Sequence, residues 1–145
     1  MCSHDTWSFP IECAPLSKKC EEPGNHPRLR QYDPWCQRVD DIVLPNEWTQ
    51  LHDIAAREGL VAIAYERPHG EYSRLYQFAK QYMYMPFSAN VSCPLSMTDG
   101  AARIVELLGT PEMKQKYYKK LTRYTLIFCF SAIAVALFPL TLFML

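Results

Sequence analysis

The last 22 residues, Tyr124–Leu145, carry no charge, and 18 of them are apolar. Few fates are open to such a stretch. As a helix rising about 1.5 Å per residue it would be roughly 33 Å long, which matches the ~30 Å hydrocarbon core of a bilayer. Lys114, Lys116, Lys119, Lys120 and Arg123 lie just before it, with no acid after Glu112. By the positive-inside rule a body ahead of such a helix stays cytosolic, and Pro139 is tolerable late in the span. Tyr124–Leu145 is therefore read as a transmembrane candidate. Two other readings stand beside it: a core helix of a larger protein, with the basic cluster as a solvated helix face, and an unspliced or frameshifted stretch that begins after Arg123.

The rest of the chain is polar enough to be a folded body. The whole sequence is 49% apolar and 13% aromatic, which excludes a disordered or collagen-like chain. Lys plus Arg and Asp plus Glu are both 15. With no basic excess, nucleic-acid binding is not expected. The six cysteines form no CxxC pair, so no zinc or thioredoxin-type site is signalled. The N-terminus lacks the basic start and apolar run of a secretory signal. The thiols are therefore expected to be reduced and the body intracellular. Cys2 and His4 could meet on a metal ion, but a frayed terminus is the simpler reading and no metal site is expected.

Three regions follow. Residues 1–37 hold Pro10, Pro15, Pro23, Pro27 and Pro34. Proline lacks a backbone donor and fixes φ, so an irregular lead-in is expected, with Trp7, Phe9, Tyr32 or Trp35 pinning parts of it to the body. Residues 38–123 form the helical body. Asn46 caps a helix over Glu47–Glu58, with Trp48, Leu51, Ile54 and Ala55 inward and Gly59 left-handed after its end. Leu60–Tyr65 is a buried strand or a buried helical turn. A second helix spans Glu71–Met85, its core stripe being Leu75, Phe78, Ala79 and Tyr82. Pro86 ends it, and Phe87–Leu95 is a loop. A third helix starts near Thr98 or Asp99 and runs to Gly109, with Ala101, Ile104, Val105 and Leu108 inward. Thr110-Pro111-Glu112 opens a fourth, through a hydroxyl cap, a proline at the first position and an acid in the first turn. Residues 124–145 are the uncharged segment. No strand alternation is visible, so the fold class is all-α.

Chemistry is sparse. The five glycines form neither GxGxxG nor a P-loop. His52 and His69 are isolated, and His52 reads as a surface or boundary histidine. Asp40-Asp41 reads as a solvated or capping pair. Tyrosines at helical spacing read as core.

One set of blocks goes further. Ser92-Cys93-Pro94-Leu95-Ser96-Met97-Thr98-Asp99-Gly100-Ala101-Ala102-Arg103 and Glu106–Glu112 resemble the N-terminal region of acyl-CoA dehydrogenases, in the AidB-like (adaptive-response) branch. So do 59–67, 70–79 and 26–30. The resemblance covers roughly residues 24–122. It implies an N-terminal helical domain of an enzyme that continues into a β-sandwich and a helical bundle and holds FAD between them. It also implies oxidation of the Cα–Cβ bond of an acyl-CoA, with a carboxylate taking the α proton and the flavin taking hydride. The flavin-contacting segment of such enzymes should follow soon after residue 122, where Tyr124–Leu145 stands. No residue here matches a flavin ligand or the catalytic base, so no cofactor and no activity are expected of this chain alone. The N-terminal domain supplies part of the acyl-pocket wall, which points to Cys93, Met97 and Thr98. Cut from its partners, such a body leaves apolar surface bare and is expected to self-associate. The alternative is a tail-anchored membrane protein with a helical interaction module.

Overall fold

The computed structural model describes residues 8–123. In order come α1 (Phe9–Cys20), β1 (Arg28–Tyr32), β2 (Arg38–Val43), α2 (Asn46–Arg57), α3 (Ala62–Glu66), α4 (Ser73–Tyr84) and α5 (Ser92–Leu108). Then α6 (Pro111–Met113), a π-helical turn (Lys114–Tyr118) and α7 (Lys119–Arg123) close the described chain. The transmembrane candidate Tyr124–Leu145 lies outside the described residues, as do Cys2, His4 and Trp7. Among the described residues no helix is long and apolar enough to cross a membrane.

The described part of the lead-in is only partly irregular, with regular structure at 9–20 and 28–32. Residues 9–20 form α1, with Pro10 in the first turn, where its missing N–H is not needed. Pro15 lies inside the helix. Phe9, Cys13 and Ser17 are buried at i, i+4 and i+8, with Leu16 and Cys20 packed beside them. Cysteine acts here as a small hydrophobe. The all-α expectation is also corrected by the antiparallel hairpin β1–β2, in which Leu29 pairs with Ile42 and Arg30 with Asp41. Both strands are exposed along almost their whole length. With neither face covered, no alternation of apolar and polar residues was required of the sequence. Asp33 ties the turn, its Oδ1 accepting from the N–H groups of Trp35 and Gln37 at 2.9 and 2.8 Å.

The helices gather two apolar clusters. Phe9, Cys13, Leu51, Ile54, Ala55, Leu60, Tyr84 and Val91 form one, where α1 lies against α2. Val61, Ala64, Tyr65, Ala101, Ala102, Val105 and Leu121 form the other, and Leu95 touches both. Helix α2 begins at Asn46 with Pro45 in the cap position and no side-chain cap bond, so Asn46 is not the cap. Gly59 is left-handed, at φ +63°, as the pattern demands. The ambiguous run after it resolves into α3. Helix α5 starts about six residues earlier than expected, because Pro94 sits in its first turn, where the N–H has no helical partner to lose. Its inward face is Ala101, Ala102 and Val105, whereas Leu108 is exposed. The Thr110 hydroxyl accepts from the Met113 N–H at 3.3 Å, so the expected start is present. The helix does not run on, however: the π turn interrupts it before Leu121 reaches the core.

Candidate functional site

Helix α4 is built inside out. Residues 73, 77, 80 and 84 share one face, and Ser73, Gln77, Lys80 and Tyr84 are the buried ones. Gln77 is 0% exposed and Lys80 4%. The expected core stripe points the other way: Leu75 is 68% exposed, Phe78 54% and Tyr82 75%. Ala79 is exposed with them, as are Tyr72, Met83 and Met85.

The cause lies in the corner between α2 and α3. A chain that turns sharply inside a fold leaves carbonyls that need donors. The amides of Gln77 and Gln81 both donate to the Leu60 carbonyl, at 2.9 and 3.0 Å. Lys80 Nζ donates to the Glu58 carbonyl and to its carboxylate, each at 2.9 Å. A cation just past the C-terminus of α2 also favours the helix dipole. The Tyr84 hydroxyl donates to the Leu51 carbonyl at 2.9 Å, and burial pushes its pKa up. The long polar side chains of α4 are thereby committed inward, and its apolar residues are left outside.

One node fixes α4 to α3 and α5. Arg74 Nη1 donates to both carboxylate oxygens of Asp99 at 2.9 Å and to Gln77 Oε1 at 2.8 Å. Its guanidinium lies 5.0 Å from the Tyr65 ring centre and 5.8 Å from that of Phe78. The Tyr65 hydroxyl donates to the Asp99 carbonyl at 2.6 Å. Burial, chiefly, pushes the Tyr65 hydroxyl up to about 12. Beside this node a crevice of about 580 Å³ opens between residues 67–74 and α5, lined by Arg67, Arg103 and Glu106 among others. Glu106 accepts from Arg67 at 3.0 Å and also from Arg103. A second hollow of about 500 Å³ lies beside Cys20, His26 and Trp48.

The expected pocket-wall residues sit together at the start of α5, already inside the helix. Cys93 and Met97 are exposed one turn apart, and Thr98 is half-buried with its hydroxyl donating to the Pro94 carbonyl at 2.8 Å. The arginine–acid network was missed, because Arg74–Asp99 and Arg67–Glu106 join residues far apart in sequence with no motif to mark them. His52 is another correction. It is buried, not at the boundary, with Trp48 edge-on at 4.5 Å and Nε2 unpartnered among the described residues. Burial pushes its pKa down to about 4. Cys13, Cys20, Cys36 and Cys93 are free thiols, and burial raises Cys13 to about 11, which makes it a packing group rather than a nucleophile. The larger of the two hollows is walled by Arg67, Glu71, Arg74, Arg103 and Glu106, a charged lining that does not fit the flat apolar slot a tricyclic flavin ring needs.

Helices joined at this corner, with a hairpin ahead of them, define a recognisable class. Residues 16–125 match the family model described as the Adaptive response protein AidB N-terminal domain. The chain belongs to that family, the N-terminal domain of AidB-like acyl-CoA dehydrogenases. Over 84 residues it is 41% identical to acyl-CoA dehydrogenase family member 11 of Caenorhabditis elegans, covering 57% of this chain and 14% of that protein. The crystal structure of Caenorhabditis elegans ACDH-11 in complex with C11-CoA superposes with a TM-score of 0.68 at 33% identity, over 79% of this chain and 20% of that one. The apo form of Bd2924 gives 0.64 at 38% identity, over 84% and 22%. The chain thus spans 14% of the curated relative and about a fifth of the two solved chains.

Proposed function

We propose that residues 8–123 serve as the N-terminal helical domain of an AidB-type acyl-CoA dehydrogenase and perform no dehydrogenation by themselves. The family reaction moves a proton to a carboxylate and hydride to FAD. Asp99 and Glu106 beside the crevice are engaged by arginines, which supports reading neither as the base. The observation that carries the reading is the outward apolar face of α4. Leu75, Phe78 and Tyr82 have the chemistry of a surface made to be covered, and in this family other domains lie beyond such a body. ACDH-11 holds C11-CoA, so the acyl-CoA that such an enzyme takes would pass the exposed start of α5, with Cys93, Met97 and Thr98 as its wall.

The test is direct. Purified chain is mixed with FAD, an acyl-CoA series and an artificial electron acceptor. The expected result is no dye reduction above the protein-free rate and no flavin retained after gel filtration. Turnover, or stoichiometric FAD, overturns the proposal.

A further inference from the structure

We propose that the crevice between residues 67–74 and α5 binds a phosphate group, held by Arg67 and Arg103. Arg67 ends α3 in the left-handed region at φ +52°, a conformation that side-chain-bearing residues rarely adopt. That turn carries its guanidinium across to α5, 3.0 Å from Glu106. Arg103 reaches the same carboxylate from one turn before it on α5. One carboxylate therefore serves two guanidiniums, so the Arg67–Arg103–Glu106 cluster carries one positive charge, which the Glu71 carboxylate at the same crevice offsets. A guanidinium has five N–H donors, and Arg67 and Arg103 each give Glu106 only one among the described residues. Both are more than half exposed at the crevice mouth. Forked donors that are permanently charged and only lightly used suit a tetrahedral oxyanion.

Arg74 is different: Asp99 holds it through both carboxylate oxygens, and it serves as wall. Glu71, the remaining acid of the lining, has no ion pair among the described residues and opposes an anion. It therefore sets the affinity without touching the ligand, and this gives the test two arms of opposite sign. The phosphate has two sources, free phosphate and coenzyme A. Only the coenzyme A arm rests on the acyl-CoA reading above.

The experiment titrates the full chain with inorganic phosphate, coenzyme A and dephospho-coenzyme A, and reads phosphorus NMR. We expect salt-sensitive binding, weakened at least about tenfold by Arg103→Gln and tightened about threefold by Glu71→Gln. A variant that merely misfolds cannot tighten binding, so the second substitution guards the first. If the 3′-phosphate signal of coenzyme A shifts and dephospho-coenzyme A binds more weakly, the bound group belongs to the coenzyme. If inorganic phosphate binds as well as coenzyme A, the site stands as a free-phosphate site and its link to acyl-CoA falls. No binding by any probe, or binding that neither substitution alters, overturns the proposal.

Discussion

His52 makes the stability of this domain depend on pH in a calculable direction. In the unfolded chain its ring takes up a proton near the usual 6.5, but in the folded chain only near 4. Below about pH 6.5 the unfolded state binds a proton that the folded state refuses. Stability is therefore full above pH 6.5, falls as the pH drops toward 4, and levels below that. The loss from this one group reaches about 3 kcal/mol. Urea midpoints measured across that range should fall steeply for the wild type and less for His52→Leu; equal slopes would remove His52 as the cause. Two glycines make the same point about backbone. A methyl on Gly109 would lie 2.4 Å from the Val105 carbonyl oxygen, whereas Gly100, inside α5, has open space around it. Gly109→Ala should lose about 1–3 kcal/mol, and Gly100→Ala should gain up to about 1 kcal/mol in helix propensity. Denaturant midpoints moving in the same direction would contradict this.

At the scale of elements, α4 decides the layout, and it does so through its polar side. Lys80→Met takes the buried donor from the Glu58 carbonyl and leaves its carboxylate with Arg57 alone, and should cost about 2 kcal/mol, more than a lysine on a solvated face would. This is also where the sequence misled. Periodicity located α4 to within two residues, but the same periodicity assigned Leu75, Phe78 and Tyr82 to the core. Amphipathic spacing reports which residues share a face, not which face is covered. Trp48, Leu51, Ile54, Ala55 and Gly59 were legible because local spacing and tertiary burial agree there. Proline count hid α1, whose stripe of Phe9, Cys13 and Leu16 was readable at helical spacing. The hairpin was not readable at all, since an arm exposed on both sides needs no pattern. Such an arm is marginal when nothing packs on it, and its amides should exchange with deuterium well before those of α2; equal protection would mean that the hairpin is covered. At the candidate site, Cys93, Met97 and Thr98 came from the resemblance and are neighbours through α5 alone, while Arg67, Arg74, Asp99 and Glu106 meet only through the fold.

At the scale of the molecule, two modest apolar clusters among the described residues share Leu95, and a row of large apolar side chains lies outside both. A free domain of this kind should associate with itself as its concentration rises, and sedimentation should show it. The same surface carries the central claim: the row belongs to an interface with the rest of an AidB-type enzyme and not to this domain's own core. The most direct measurement is the thermal midpoint of the triple variant Leu75→Ser, Phe78→Ser, Tyr82→Ser. On this account the midpoint stays within about 4 °C of wild type and self-association falls. A drop of more than about 10 °C, the signature of a damaged core, would contradict it.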